Sequence, residues 1–114
     1  MNYKWSLFMA DLNPVIGSEQ QGRRPVLVIS DETTNSVMPV VTILPLTSLK
    51  KGRRVYPNEV LIKNGVAGLE LDSIVLAHQI RTIAKQRLIT SLGEILDANL
   101  RSRIDDALRV HLNL

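Results

Sequence analysis

The chain has no cysteine, one tryptophan, one phenylalanine, two tyrosines and two histidines among 114 residues. Without thiols there can be no disulfide staples and no thiolate metal site, which fits a reducing compartment. At 4% aromatics, a platform stacking several nucleobases in succession is not expected. His78 and His111 are the only imidazoles, and neither stands four residues from another ligand type in a recognisable motif, so no metal is expected. A Walker loop is missing, since neither Gly17 nor Gly22 leads into Lys-Ser/Thr. Glu19, Asp31, Glu59 and Asp72 are scattered, with no pair at a spacing that demands acid/base work. No apolar run is long enough to span a bilayer, and MNYKWSLFMADLN lacks an apolar region followed by a small-residue cleavage site. A cytoplasmic protein without membrane contact or cofactor is expected.

What is present reads as one globular domain over residues 1–114, with 45% hydrophobic residues and charges of both signs. The net charge of +3 is unevenly placed. Up to Pro57, seven bases (Lys4, Arg23, Arg24, Lys50, Lys51, Arg53, Arg54) meet four acids; from Asn58 onward seven meet seven. The excess therefore sits in GRRP and KKGRR, where a polyanion would be attracted.

Trp5 to Leu12 alternates with period two and has both faces partly apolar, which predicts a strand ended by Asn13-Pro14. PVLVIS (25–30) and VVTILPL (40–46) are β-branched strands, with Pro45 marking an edge or bulge and a polar connection between them that has room for one helical turn. EVLI (59–62) closes at Asn64-Gly65, residues 69–77 carry a fifth strand, 79–83 alternate, and 89–92 form a sixth strand. Leu96, Leu100, Ile104, Leu108 and Leu112 then recur every fourth residue. They predict an amphipathic helix capped by Asp97, with His111 packed beside the stripe and Asp105 supporting Arg109. Five or six short antiparallel strands and one C-terminal packing helix point to a small, strongly curved barrel or half-barrel.

One stretch serves no core-building purpose. PVIGSEQQGRRP (14–25) sets a small polar segment between two apolar strands and ends in two arginines against a proline. Guanidinium forks suit phosphate oxygens, and glycines let backbone amides approach an anion. Polar residues also end or follow the other strands: Thr47 and Ser48 after the third, Gln79 and Arg81 after the fifth. In an antiparallel barrel such ends can converge on one rim with Ser18, Glu19, Gln20 and Arg24. Together they would form a phosphate site needing no metal. His78 precedes this polar face, and local hydrogen bonding is its simplest role.

PVIGSEQQGRRPVLVIS, ILPLTS and LDSIVLAHQIRTIAKQRL, in that order and over nearly the whole chain, resemble the signature segments of the MazF/PemK toxins, the RNA-cleaving halves of toxin–antitoxin pairs. The resemblance implies an SH3-like barrel of the CcdB/PemK type, a homodimer, a MazE-like antitoxin, and sequence-selective, metal-independent cleavage of single-stranded RNA to 2′,3′-cyclic phosphate and 5′-hydroxyl ends. It places the family's catalytic arginine at Arg24 and its catalytic threonine at Thr47. Ser18, Glu19, Gln20 and Gln79 fall on RNA-contacting positions, with His78 and Arg81 beside them. Lys50, Lys51, Arg53 and Arg54 are expected to meet backbone phosphates from a flexible loop. Two departures stand out: Lys4-Trp5-Ser6 replaces the family's usual glycine-acid opening, and His78 stands where an acid is common, leaving open how the base beside the cut is read. Two other readings carry different outcomes: a CcdB-like gyrase poison acting through the tip of the last helix, and a barrel that binds RNA without cutting it. GRRP and ILPLTS favour the nuclease.

Overall fold

The computed structural model describes residues 2–14 and 16–114; Met1 and Val15, the latter inside the PVIGSEQQGRRP stretch, lie outside the described residues. Alternation sets the sheet. β1 (Ser6–Asp11), β2 (Arg23–Val28) and β3 (Val40–Ser48) pair antiparallel. Leu7 lies opposite Leu27 and Leu27 opposite Leu44 on one face, while Phe8 lies opposite Val26 and Val26 opposite Pro45 on the other. Since both sets are apolar, the sheet is buried on both sides. The first set packs with Leu100, Ile104 and Ala107 of α2 (Ala98–Leu112). Phe8, Ala10, Val26, Val28, Val41, Ile43 and Ile83 form the second core.

β4 (Glu59–Ile62) and β5 (Ser73–Leu76) extend the sheet beyond β3, and β7 (Leu88–Glu94) extends it beyond β1. β6 (Arg81–Ala84) pairs with the first half of β3. The mainly antiparallel architecture with a C-terminal helix is as expected, with seven strands where five or six were counted. The path runs β4-β5-β3-β2-β1-β7 without pairing between its ends, so the sheet stays open. The additional strand is the alternating segment at 79–83, which forms β6 after a 3-10 turn at Ala77–Gln79. β5 takes Leu46–Ser48 of β3 and β6 takes Val40–Ile43. Pro45 falls in the gap. The Thr42 amide and carbonyl both point toward β2, so alternation turns the position of Pro45 toward the gap, where a missing donor breaks no ladder. What looked like an edge or bulge is a change of partner.

The fifth strand begins at Ser73, later than the run from Leu69 suggested, because Ala67 (φ 51°) and Gly68 (φ 79°) fold a turn against β7. A Cβ on Gly68 would lie 2.3 Å from the Leu92 carbonyl oxygen. In α2, Asp97 accepts from the Asn99 amide at 3.1 Å, as the cap reading required. Leu96 precedes the helix and is exposed, Leu112 and His111 are exposed as well, and Asp106 rather than Asp105 pairs with Arg109, at 3.1 Å. The polar connection does hold a short helix, α1 (Glu32–Val37), capped by Asp31.

Candidate active site

Arg24 sits near the start of β2 opposite Ala10, on the face that carries Val26 and Val28. β3 runs the other way beside it, with Val26 opposite Pro45 and Val28 opposite Ile43. Continuing that register by two residues carries Arg24 across from Thr47, on the same face and at the same end of the sheet. The sequence folds this way because Pro25 is tolerated near a strand start and the loop before it is rich in glycine. Arg24 as a residue is half-buried, and its Nε donates to the Gln21 carbonyl at 2.7 Å. Its two Nη groups have no partner among the described residues, so the fork is aimed by its stem while its tips stay available.

The first loop closes over this end. The Leu12 amide donates to the Gly22 carbonyl (3.0 Å), and the Gly22 amide donates to Asn13 Oδ1 (3.0 Å). Glu19 Oε1 accepts from the Ile16 amide (2.7 Å), which makes it a turn residue as well as an exposed anion. Gln20 Oε1 is buried and meets no donor among the described residues. Ser18 is exposed, and its carbonyl accepts from Gln79 Nε2 at 3.5 Å, linking the loop to the turn after β5. Arg81 lies opposite Ile43 and donates from Nη1 to the Leu12 carbonyl at 3.3 Å. Arg87 donates to the Asp11 carbonyl (3.1 Å) and also to that of Asn13. Strand register thus brings Arg24 and Thr47 to one end of the sheet, and hydrogen bonds join Ser18 to Gln79 and Leu12 to Arg81. Arg87 ties down the start of the same loop, and nothing in its sequence context set it apart.

The basic loop after β3 divides. Lys50 and Lys51 are exposed, and Arg54 is exposed with its guanidinium carbon 5.9 Å from the Tyr56 ring centre. Arg53, expected to reach RNA, turns inward. Its Nη1 and Nη2 donate to Glu59 Oε1 and Oε2 at 2.9 and 2.8 Å. His78, also expected at the RNA surface, places Nε2 3.1 Å from Glu59 Oε2. The Tyr56 amide adds a donation to Oε1 at 3.0 Å. The paired Arg53 guanidinium is the main cause holding the Glu59 carboxyl at about 2, with the Tyr56 amide and His78 helping against the opposing effect of burial. In the sequence Glu59 is one of four scattered acids. The available signal was its place at the head of EVLI, a charge leading a strand of apolar residues.

A cleft of about 370 Å³ opens beside Arg24 on the α2 side, between Arg23, Pro25, Leu46, Leu69, Leu71 and Leu92. Its walls are mostly apolar, so it suits a side chain better than a phosphate. Among the described residues, no cluster of three or more His, Asp or Glu could hold a metal ion.

An open antiparallel sheet packed on one C-terminal helix, with Arg24, Arg81 and Arg87 gathered at one end, defines a small mainly-β protein. Residues 3–112 match the model of the PemK-like, MazF-like toxins of type II toxin–antitoxin systems, and the chain belongs to that family. It is 40% identical over 109 residues to the endoribonuclease EndoA of Bacillus subtilis, covering 95% of this chain and 91% of that protein. It is 35% identical over 119 residues to the endoribonuclease MazF9 of Mycobacterium tuberculosis, covering 100% and 98%. A solved endoribonuclease in complex with its cognate antitoxin, from a mycobacterial species, superimposes with a TM-score of 0.80 at 25% identity over 100% of this chain and 97% of that one.

Proposed function

We propose that the chain is the toxin of a type II pair and acts as a metal-independent, sequence-selective endoribonuclease on single-stranded RNA. The observation that carries the site assignment is the Arg24 fork, oriented by Gln21, free at both tips, and across the strand register from Thr47. RNA brings its own nucleophile. The 2′-oxygen attacks the adjacent phosphorus, the bond to the 5′-oxygen breaks, and the proton lost by the 2′-hydroxyl is balanced by the one gained at the 5′-oxygen. The products are a 2′,3′-cyclic phosphate and a 5′-hydroxyl.

Arg24 is the stabiliser of this step. Its fork holds a non-bridging oxygen as negative charge grows, and its high intrinsic pKa favours an electrostatic role over proton donation. Thr47 orients the 2′-hydroxyl or the phosphate, being too weak an acid to serve as a ready base. Ser18, Glu19, Gln20, Gln79 and Arg81 line the path of the flanking bases, and the orphan Gln20 Oε1 is an acceptor suited to a base amino group. Lys50, Lys51 and Arg54 meet backbone phosphates. The protein works in the cytoplasm as a homodimer, and a MazE-like antitoxin with an acidic tail silences it by occupying the same surface.

Purified protein incubated with RNA and EDTA tests this: cleavage to 5′-hydroxyl ends is expected, and Arg24→Ala slows it by orders of magnitude. A substrate carrying 2′-deoxyribose at the cut must resist. Retention of RNA without new ends would instead mark a binding barrel, and inhibition of DNA gyrase with intact RNA a CcdB-like poison.

A further inference from the structure

The basic segment between β3 and β4 is expected to be flexible, yet it is tied at three levels. The Leu49 amide donates to the Asp72 carbonyl (2.8 Å), the Arg53 amide to the Lys50 carbonyl (3.0 Å), and Glu59 gathers the Arg53 fork and the Tyr56 amide. Arg53 also donates to the Arg54 carbonyl. The Glu59 side chain is 2% exposed. Through His78 the same carboxylate holds the turn that carries Gln79, which in turn reaches the Ser18 carbonyl. One buried acid therefore ties the basic loop to the turn that carries Gln79 and, through Gln79, to the first loop.

We propose that Glu59 is a positioning residue for RNA binding. Its carboxylate draws Arg53 inward and fixes the loop, so that Lys50, Lys51 and Arg54 are presented as a pre-ordered cationic edge to the phosphates beside the cut. Ordering the loop before RNA arrives removes an entropy cost from binding. The proposal rests on the ribonuclease reading.

Charge alone predicts the opposite outcome, and this makes the test decisive. Glu59→Gln removes a negative charge and loosens Arg53, raising the local positive charge by one, so an electrostatic account requires tighter RNA binding. A positioning role requires weaker binding. For Glu59→Gln we expect KM for an RNA oligonucleotide to rise about tenfold while kcat stays within about twofold. Limited trypsin digestion should nick after residues 50–54 about tenfold faster than in the native protein, because protease sites are cut when local structure opens. Arg53→Lys keeps every charge and the trypsin site but replaces the fork by a point contact. It guards against misfolding of the first variant, and smaller rises of both quantities are expected.

Unchanged nicking in both variants would overturn the clamp. Faster nicking with KM unchanged or lowered would overturn its role in RNA binding. Failure of the ribonuclease reading shows separately, as absence of cleavage by the native protein, and leaves the nicking result standing.

Discussion

Replacing Glu59 should change how the protein responds to acid as well as to RNA. The carboxyl is held at about 2 against an ordinary 4.5, so the folded state prefers the charged form. A depressed carboxyl contributes stability that is fully present above its unfolded pKa and lost as pH falls through the folded one. The shift of about 2.5 units corresponds to about 3 kcal/mol. Integrating the same linkage, about 2 kcal/mol of this is gone by pH 3. The figure is an upper one, because the Arg53 side chain keeps 29% exposure and its charge is partly screened.

Urea unfolding followed by fluorescence of the single tryptophan, Trp5, reads this out at fixed protein concentration from pH 7 to pH 2.5. The native protein should exceed Glu59→Gln by about 2–3 kcal/mol at pH 7. The gap should narrow to about a quarter between pH 5 and pH 2.5. Glu59→Ala should fall further at pH 7, because it leaves the Arg53 fork, the Tyr56 amide and His78 without their acceptor. Parallel stability curves for native protein and Glu59→Gln across this range would refute the reasoning, whatever their vertical offset.

Arg24→Ala should lower kcat for RNA cleavage by about 10²–10³-fold, and Arg24→Lys should restore little, since a point charge does not replace a fork; single-turnover assays check both, with thermal melting shifted by only a degree or two. Thr47→Val, which keeps the shape and removes the hydroxyl, should reduce kcat by about 10–10²-fold and leave KM nearly unchanged. Removing Lys50 and Lys51 together should weaken RNA binding and flatten the slope of log K against log salt by about 1.4, the value for two lost single-strand phosphate contacts, in a filter-binding titration. Gly68→Ala places a methyl 2.3 Å from the Leu92 oxygen at a φ of 79°, and should cost about 2–4 kcal/mol in urea unfolding.

The strands were legible because each carries its own period. Phe8, Ala10, Val26 and Val28 against Leu7 and Leu27 need no long-range information to be sorted onto two faces. The helix stripe was legible through Leu100 and Ile104, and its start through the Asp97 cap; the burial of its outermost members was not, since the period extends to Leu96, before the cap, and to Leu112, at the open end of α2, and both are exposed. The alternation at 79–83 was legible as a segment apart from 69–77, but its standing as a strand was not, because that depends on which half of β3 it pairs with. Arg53 and Arg54 are adjacent and identical in type; only the folded position of Glu59, six residues beyond Arg53, makes one an anchor and leaves the other outside.

That division of labour among arginines extends to the Arg24 end of the sheet. Arg81 and Arg87 spend guanidinium donors on the carbonyls of Leu12, Asp11 and Asn13, where strand β1 passes into the loop. A carbonyl neutralises no charge, so both residues keep their field there while losing freedom of position. Arg101 is occupied by Glu94 and the Ile95 carbonyl on the α2 side. Arg23, one residue from Arg24, falls on the opposite face by strand alternation, and both border the mostly apolar cleft. Arg24 is the arginine at this end whose stem is fixed while neither Nη group has a partner among the described residues. Stabilising a transient phosphorane requires a donor already aimed before the charge appears. An arginine committed to a carboxylate cannot turn to it, and one on a free loop must first be ordered. The loop that looked remarkable in sequence for its glycines and glutamines works, in this arrangement, through one carbonyl: that of Gln21, which sets the direction of the guanidinium three residues on.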